Sequence, residues 1–373
     1  MNALALPKAH CTSKTTKAVL NASLRRCIPR LCMYNLPAIA ENLWGLMPRR
    51  YLVISLVALA SLAALASGTS PAAADNAPWK AMFQPLPDVA ESKENPLSPA
   101  KIALGKALYN DKRLSLDQDI SCNSCHKLDS FGVDNEPTSP GHKGKRGDRN
   151  SPTTFNAALH IAQFWDGRAP TVEKQALGPI LNPGEMAMPS ETKVIERLKA
   201  DPKTVADFKA AFPGQANPVT YENVGNAIGA FERTLMTPSR FDAYLKGNDA
   251  ALSPQEKKGA QLFVETGCTA CHNGVGVGGG MYQKLGLVKP YPTKDKGRSA
   301  VTKSEADTFV FKVPSLRNVE KTGPYFHDGS VKTLPEAVSQ MAEYQLGKQL
   351  STEQVNDIVA FLKTLTAEKA PNS

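Results

Sequence analysis

Beyond residue 74 the sequence lacks both a long hydrophobic run and an excess of charge. The full chain of 373 residues has a formal charge of +9, but residues 1–74 hold eight Lys or Arg and one acidic residue and so account for +7. The remaining 299 residues carry 36 basic and 34 acidic side chains. This near balance gives no basic field that would indicate a nucleic-acid partner. The 42% hydrophobic and 21% charged content is typical of a globular protein.

Cysteine and β-forming patterns are also scarce. Four of the seven cysteines lie beyond residue 74 and belong to two motifs, so we expect no disulfide in that region. Few alternating β-branched runs occur, which argues against a sheet-rich fold. Leu-Ser-Pro at 97–99 and at 252–254 each open a helix, with Ser as N-cap and Pro at the first helical position. We therefore predict a mostly α fold.

One apolar run does occur, at residues 51–66, between two arginines and a series of small residues that ends at Ala74. This order is typical of a cleaved secretory signal peptide. The run is shorter than the about 20 residues that cross a bilayer, and an uncleaved anchor is the alternative. We expect a mature periplasmic chain, without a membrane span, that begins just after Ala74. The long segment before Met47 makes Met1 and Met47 both candidate start codons.

The motif Cys-x-x-Cys-His occurs twice. Its residues are Cys122, Cys125 and His126, and Cys268, Cys271 and His272. Two thiols at this spacing can both reach the vinyl groups on one edge of a haem, and the next residue, His, can ligate the iron. One zinc site or two disulfides are the alternatives. A zinc ribbon separates its cysteine pairs by about 15–20 residues, whereas Cys268 lies 143 positions after Cys125. The motifs therefore predict two covalently bound haem c groups.

Further matches follow each motif in the same order. Residues 152–156 (PTTFN) match 314–318 (PSLRN), and 164–167 (FWDG) match 326–329 (FHDG), all at an offset of 162 positions. Together with the Cys-x-x-Cys-His motif these are three matched segments in one order, which indicates an internal duplication of a haem-binding unit. We predict two cytochrome c-like haem domains preceded by a signal peptide.

The predicted boundaries follow from this duplication. They are 1–74 for the presequence, 75–240 for the N-terminal domain and 241–373 for the C-terminal domain, with 236–251 as linker. Apolar periodicity predicts further helices over 191–199, 219–235 and 351–365.

The sixth ligand of each iron sets its chemistry, because Met raises the reduction potential, a second His lowers it, and an open position admits substrate. The candidates are His142, His160, Met186 and Met188 in the first half, and Met281, Met341 and His327 in the second. Met341 lies 69 residues after His272 in a helical stretch, long enough to wrap a haem. A lone Met on a helix is, however, also a common core residue. His142 lies in a loop rich in Gly and charged residues. Two interpretations are open for its side chain: a ligand that can detach from the iron, or a group that is simply exposed to solvent.

Longer motifs carry a resemblance to a known family. They are SCNSCH, PTSPGHKGKRGDRNSPT, QFWDGRA, NPGEM, CTACHNG, PSLRN and GPYFHDG. With them the chain resembles the bacterial di-haem cytochrome c peroxidases over nearly all of the region after residue 74. The resemblance implies a peroxidatic haem in the first domain and an electron-transfer haem in the second. It also implies hydrogen peroxide as substrate, a small soluble cytochrome c or blue-copper protein as electron donor, and a homodimer.

The same resemblance assigns individual residues. It makes His126 and His272 the proximal ligands and Met341 the sixth ligand of the electron-transfer haem. His142 matches a loop histidine that occupies the peroxidatic iron at rest and leaves when the other haem is reduced. The other matches are the distal Glu185 and Gln175, the inter-haem Trp165, and Asn150, Thr322 and Pro324 around a calcium ion.

Some of these roles have independent chemical support. Cleavage of peroxide requires a group that moves a proton from one oxygen to the other, and Glu185 can do this unless it simply faces solvent. Trp165 could instead be an ordinary core aromatic. A di-haem electron carrier without peroxidase activity is one alternative function. The other is a related oxidase that matures a tryptophan-derived quinone in a partner protein, in which the resemblance places Tyr at the position of Met341.

Overall fold

The computed structural model describes residues 77–368, so the predictions for the signal peptide, its cleavage site and the start codon lie outside the described residues. The α-helices are α1 (Pro99–Tyr109), α2 (Cys122–Cys125), α3 (Val172–Leu181), α4 (Glu191–Lys199), α5 (Pro202–Ala211), α6 (Tyr221–Glu232), α7 (Arg240–Leu245), α8 (Pro254–Thr266), α9 (Ser299–Thr302), α10 (Leu334–Leu346) and α11 (Thr352–Lys363). Strands β1 (Tyr282–Lys284) and β2 (Val310–Lys312) pair antiparallel, with Tyr282 opposite Lys312. In the stretch 77–368 no helix is both long and apolar enough to cross a bilayer.

Local sequence signals explain where the principal helices begin. The Ser98 side chain accepts a hydrogen bond from Lys101 N at the start of α1, and Ser253 forms a reciprocal capping box with Glu256 at the start of α8. Both predicted starts are confirmed, as is the helix over residues 191–199. The helices predicted over 219–235 and 351–365 are present but one to three residues shorter at each end, where capping rather than periodicity decides the limit.

Two hydrophobic cores divide the described chain. The first is formed mainly by α1 and α3–α6, and the second mainly by α7, α8, α10 and α11. Trp79 and Phe83, which the sequence placed in the N-terminal domain, pack in the second core instead. Trp79 stacks on Tyr244 with 5.9 Å between ring centroids, and Phe83 meets Phe241 edge-on at 5.4 Å. This N-terminal arm, residues 77–83, packs against the second half because its aromatic rings are buried on an apolar surface there.

The duplication is visible in how helices cross. In the first half α1 approaches α6 so closely that a Cβ on Gly105 would lie 1.9 Å from the Ala227 carbonyl oxygen. In the second half α8 approaches α11, and a Cβ on Gly259 would lie 1.9 Å from the Asp357 carbonyl oxygen. Each half therefore builds the same helix pair around a glycine that leaves room for the facing backbone.

The segment predicted as a linker, 236–251, is structured. It contains α7, and Thr237 is only 1% exposed. The hydroxyl of Thr237 accepts hydrogen bonds from the side-chain amides of both Asn156 (2.6 Å) and Asn318 (2.9 Å). These two asparagines are equivalent in the repeat, so one threonine joins the two copies, and burial of its hydroxyl rules out a loose connection.

Polar contacts hold the two halves together around residues 149–166. The guanidinium of Arg149 pairs with Asp166 of its own half and with Asp295 of the other, each at 2.6 Å. The backbone N–H of Asn150 donates to the His327 carbonyl at 2.7 Å. The backbone N–H of Lys312 in β2 donates to the Trp165 carbonyl at 2.8 Å. This junction positions the predicted inter-haem residue between the cores.

Candidate functional site

The first Cys-x-x-Cys-His motif folds as a single helical turn. Ser121 and Ser124 form a capping box at the start of α2, and His126 N donates to the Cys122 carbonyl at 2.9 Å. This turn places the two cysteines within one helical turn, and both thiols are free. Burial raises the pKa of the Cys122 thiol to about 12. Neutral free thiols at this spacing fit thioether formation with haem vinyl groups.

The second motif reaches the same geometry by a different local route. Gly267, at a φ of 101°, ends α8 and turns the chain into the short 3₁₀ turn Cys268–Ala270. His272 N donates to the Cys268 carbonyl at 2.9 Å, as in the first copy. Both thiols of this motif are also free. Among residues 77–368 no three His, Cys, Asp or Glu side chains cluster as a metal site, so the zinc alternative has no support.

Both motif histidines are prepared to ligate iron. Burial lowers the pKa of His272 to about 4, against opposing contributions from the backbone of Val277 and Pro314. Burial likewise lowers the pKa of His126, against Asp134 and the backbone of Pro152. The imidazoles are therefore neutral at pH 7, which is the ligating form.

A cavity opens beside the first motif. Its walls include the three motif residues and all three residues predicted for the distal side or for inter-haem electron transfer: Cys122, Cys125, His126, Trp165, Gln175 and Glu185. Helix α3 supplies Gln175, and the turn that follows α3 supplies Glu185. The structure thus brings together around one space residues that are up to 63 positions apart in sequence.

Glu185 has the environment of a proton-handling carboxyl group. Burial raises its pKa, and the charge of Arg168 and a hydrogen bond from Asn182 oppose this without cancelling it. The Asn182 amide donates to Glu185 Oε1 at 2.8 Å and fixes the orientation of the carboxyl group. Glu185 therefore does not face solvent freely, which was the alternative at the sequence level.

His142 lies next to the cavity but is not part of its wall. The residue is buried, and its ring Nδ1 lies 3.4 Å from Asp117 Oδ2. Its backbone N–H donates to the Glu185 carbonyl at 2.7 Å. The loop of His142 is therefore tied to the residue that we assign to proton transfer, and the exposed state considered from sequence does not occur. Its role as a detachable iron ligand stays a prediction.

Trp165 lies between the two halves. Its indole N–H donates to the Asn150 carbonyl at 2.9 Å, and its own carbonyl accepts from Lys312. The predicted calcium residues lie at the same junction: the Asn135 amide donates to the carbonyls on either side of Thr322, those of Lys321 and Gly323.

Met341 is half-buried on α10, which begins at Leu334 as expected. The chain just after this helix contacts the end of α8: Lys348 Nζ donates to the Thr266 carbonyl at 2.8 Å, two residues before Cys268. Two other candidates are engaged elsewhere: His327 Nε2 lies 3.0 Å from Thr293 Oγ1, and Met188 lies in the first core. Met341 as iron ligand stays a prediction.

The sequence analysis assigned no role to three further cavity residues, although one of them, Arg168, lies in the QFWDGRA motif. Arg168 and Glu232 line the wall, and burial raises the pKa of Glu232 to about 8, so that it is largely neutral at pH 7. Pro179 also lines the wall and lies 162 positions before Met341, at the offset of the repeat. Carrying that offset through α3 and α10 would have identified Pro179 from the sequence.

Comparisons with known proteins agree with this arrangement. A family model described as di-haem cytochrome c peroxidase matches residues 99–250, and a cytochrome c model matches residues 256–366. Cytochrome c551 peroxidase of Pseudomonas aeruginosa is 48% identical over 297 residues, which is 78% of this chain and 85% of that protein. Cytochrome c551 peroxidase of Nitrosomonas europaea is 46% identical over 327 residues, covering 87% and 93%.

Among solved structures, a MauG-like protein associated with microbial copper homeostasis has a TM-score of 0.67 at 29% identity, covering 76% of this chain and 94% of that one. The fold and the two attachment motifs define a di-haem protein of the cytochrome c type. The chain belongs to the di-haem cytochrome c peroxidase family. The family, the mostly α fold with cytochrome c-like domains, the peroxidase class and the two haem c groups predicted from the motifs are confirmed.

Proposed function

We propose that this chain reduces hydrogen peroxide to water with electrons from a small reduced cytochrome c or a blue-copper protein. One peroxide takes up two electrons and two protons and yields two waters, so two one-electron donors are consumed in each cycle. The observation that carries the proposal is the position of Glu185, beside Gln175 in the wall of the cavity that opens next to His126.

The residues that would hold the haems are Cys122, Cys125 and His126 in the first half, and Cys268, Cys271, His272 and Met341 in the second. When bound, the haems supply one iron at which peroxide is reduced and a second that stores an electron in advance. An unequal pair is supported by the repeat, because Pro179 at the position equivalent to Met341 has no atom that ligates iron. In an electron carrier both irons would have two protein ligands, so the difference between Pro179 and Met341 would serve no function.

Glu185 performs the proton transfer in this proposal. Its carboxylate takes a proton from one peroxide oxygen and returns it to the other, and its raised pKa brings proton uptake and release closer to neutral pH. Asn182 orients the carboxyl group, and the Gln175 amide supplies a polar contact for the substrate. Trp165 lies on the electron route between the halves. His142 would be the residue that holds and releases the open position of the first haem, and Asp117, 3.4 Å from its ring, would be the partner of the released imidazole.

The test is a peroxide assay on the half-reduced holoenzyme with Glu185→Gln. We expect a loss of turnover of about 10²–10⁴-fold, with both haem spectra unchanged. Glu222→Gln is the matched control, because Glu222 is 70% exposed and does not line the cavity. Normal turnover in the Glu185 variant would exclude the proton-transfer role.

The same assay separates the alternative functions. A half-reduced protein that consumes no peroxide would favour the electron carrier. The oxidase alternative has weaker support, because the methylamine utilization protein MauG of Methylorubrum extorquens is 36% identical, below the 48% and 46% of the two cytochrome c551 peroxidases. A near-infrared band of Met bound to ferric iron would support Met341 and argue against the oxidase.

We also propose that Asn150, Thr322 and Pro324 bind one calcium ion at the junction. Amide, hydroxyl and carbonyl oxygens suit this hard cation, and the contacts of Asn135 with Lys321 and Gly323 fix that segment near the first half. Removal of calcium with a chelator should slow the activation of the enzyme that follows reduction of its second haem. Added calcium should restore the activation rate, and added magnesium should not. An unchanged activation rate after verified removal would exclude this site.

Export and assembly complete the proposal. We propose a periplasmic location after cleavage at Ala74, which intact-mass analysis of the exported protein would test.

We propose a homodimer, for which light scattering at several protein concentrations is the measurement. A monomer at every concentration would exclude it.

A further inference from the structure

Lys312, at the end of β2, is a buried cation without a carboxylate partner. The residue is 6% exposed, and the polar side-chain atom in contact with its Nζ is His160 Nδ1, at 3.3 Å. Among the other buried cations of the described chain, Arg317 pairs with Asp242 and Arg233 with Glu173, each at 2.7 Å, whereas Lys101 donates to two neutral oxygens, Asn95 Oδ1 and the Pro96 carbonyl. Within residues 77–368 Lys312 forms no ion pair with Asp or Glu.

The partner of Lys312 is itself incomplete. His160 Nε2 is buried and has no hydrogen-bond partner. Burial lowers the pKa of Lys312 to about 8, and burial together with the neighbouring Lys312 lowers the pKa of His160 well below its ordinary value. Because the ammonium donates to His160 Nδ1, the ring N–H lies at Nε2 and has no acceptor, and the ammonium itself faces no anion. Buried charges are normally paired, so these two groups indicate a place for an anion.

The pair lies close to the second haem-attachment motif. Lys312 is two residues before Pro314, whose backbone acts on the His272 ring. A Cβ on Gly279 would lie 2.4 Å from His160 Cδ2, and a Cβ on the preceding Gly278 would lie 3.1 Å from His272 Nδ1. Two consecutive glycines therefore separate the His160 ring from the iron-ligating ring.

We propose that Lys312, held by His160, is the counter-charge for a propionate carboxylate of the haem attached at Cys268 and Cys271. A haem carries two propionates, which are anionic at neutral pH and whose charge favours ferric over ferrous iron. An ammonium group paired with one of them offsets that charge and raises the reduction potential of this haem. The proposal rests on haem attachment at the second motif and not on peroxidase activity.

The experiment is an anaerobic spectroelectrochemical titration of the holoprotein that resolves the two haem midpoints. Lys312→Met should shift the midpoint of the second haem to a more negative potential and leave that of the first haem nearly unchanged. Lys312→Arg, which keeps the charge, should restore most of the difference. Haem content and thermal midpoint are measured for each variant, and Lys312→Gln replaces the methionine variant if the latter does not retain two haems.

Lys284→Met is the matched control, because Lys284 is exposed on the neighbouring strand β1 and its loss also removes one positive charge. We expect no resolved shift in that variant, since solvent screens exposed charges. Equal midpoints in Lys312→Met and Lys284→Met would overturn the proposal, and so would a shift confined to the first haem. Neither result depends on peroxide turnover, so the proposal can fail while the proposed function stands.

Discussion

At the scale of single residues, Pro179 and Met341 show how two copies of one unit can differ in chemistry. They lie at equivalent positions of α3 and α10, and Pro179 faces the cavity beside His126. A thioether is available in one copy, and a ring without a donor atom lies in the other. If Met341 ligates the second iron as predicted, the difference between a closed and an open iron needs only one side chain at this position.

Pro179→Met should supply the missing ligand to the first haem. We expect a second methionine-to-iron charge-transfer band in the near infrared and a fall in peroxide turnover of at least tenfold, since the substrate position is then filled. Pro179→Ala is the control, because it also removes the ring but offers no ligand. Identical spectra for the two variants would show that α3 does not present this position to the iron.

Individual residues were predictable where their chemistry is local. Cys122, Cys268 and their histidines follow from spacing alone, and Ser98 and Ser253 follow from capping preferences. Lys312 did not follow, because its lack of a carboxylate partner depends on which side chains meet it from elsewhere in the chain. His160 was considered only as an iron ligand, since its contact with Lys312 spans 152 positions.

At the scale of secondary-structure elements, the close crossings of α1 with α6 and of α8 with α11 define each half. Each crossing requires a glycine, because a Cβ atom at that position would collide with the facing backbone. Periodicity located the apolar faces of these helices. It could not locate the crossing point, because that point depends on the facing helix.

Gly105→Ala should destabilise the first half. The added methyl would meet the Ala227 carbonyl at 1.9 Å, and overpacking of this kind costs about 1–3 kcal/mol, more than the up to about 1 kcal/mol that Ala gains over Gly in a helix. The measurement is the urea midpoint followed at the first haem. Gly147→Ala is the control, since no atom lies within 4 Å of its added Cβ, and equal midpoints for both variants would contradict the prediction.

At the scale of the whole molecule, the junction determines whether the two halves act together. Arg149, Asn150 and Trp165 come from the first half and contact Asp295, His327 and Lys312 of the second. The motifs predicted both halves and their order. They could not predict this junction, because each contact joins segments more than 140 positions apart and no local pattern records such a pairing.

Arg149→Ala should uncouple the halves without dissolving either core. It leaves Asp295 without its 2.6 Å ion-pair partner, at a cost of about 1–3 kcal/mol. We expect the two haem signals to separate in urea unfolding, whereas they coincide in the unchanged protein. Arg146→Ala is the matched control, because Arg146 pairs with Glu136 of its own half and is 46% exposed. Coincident transitions in both variants would argue against a coupling role for Arg149.

The arm that carries Trp79 and Phe83 has a consequence for biosynthesis. These rings belong to the first described segment to leave the ribosome, yet the surface that buries them is completed by α11, almost the last described segment to be made. Until translation ends, the aromatic arm has no place to dock. The nascent chain must therefore keep these side chains from aggregating, and final closure of the fold should wait for the carboxyl-terminal helix.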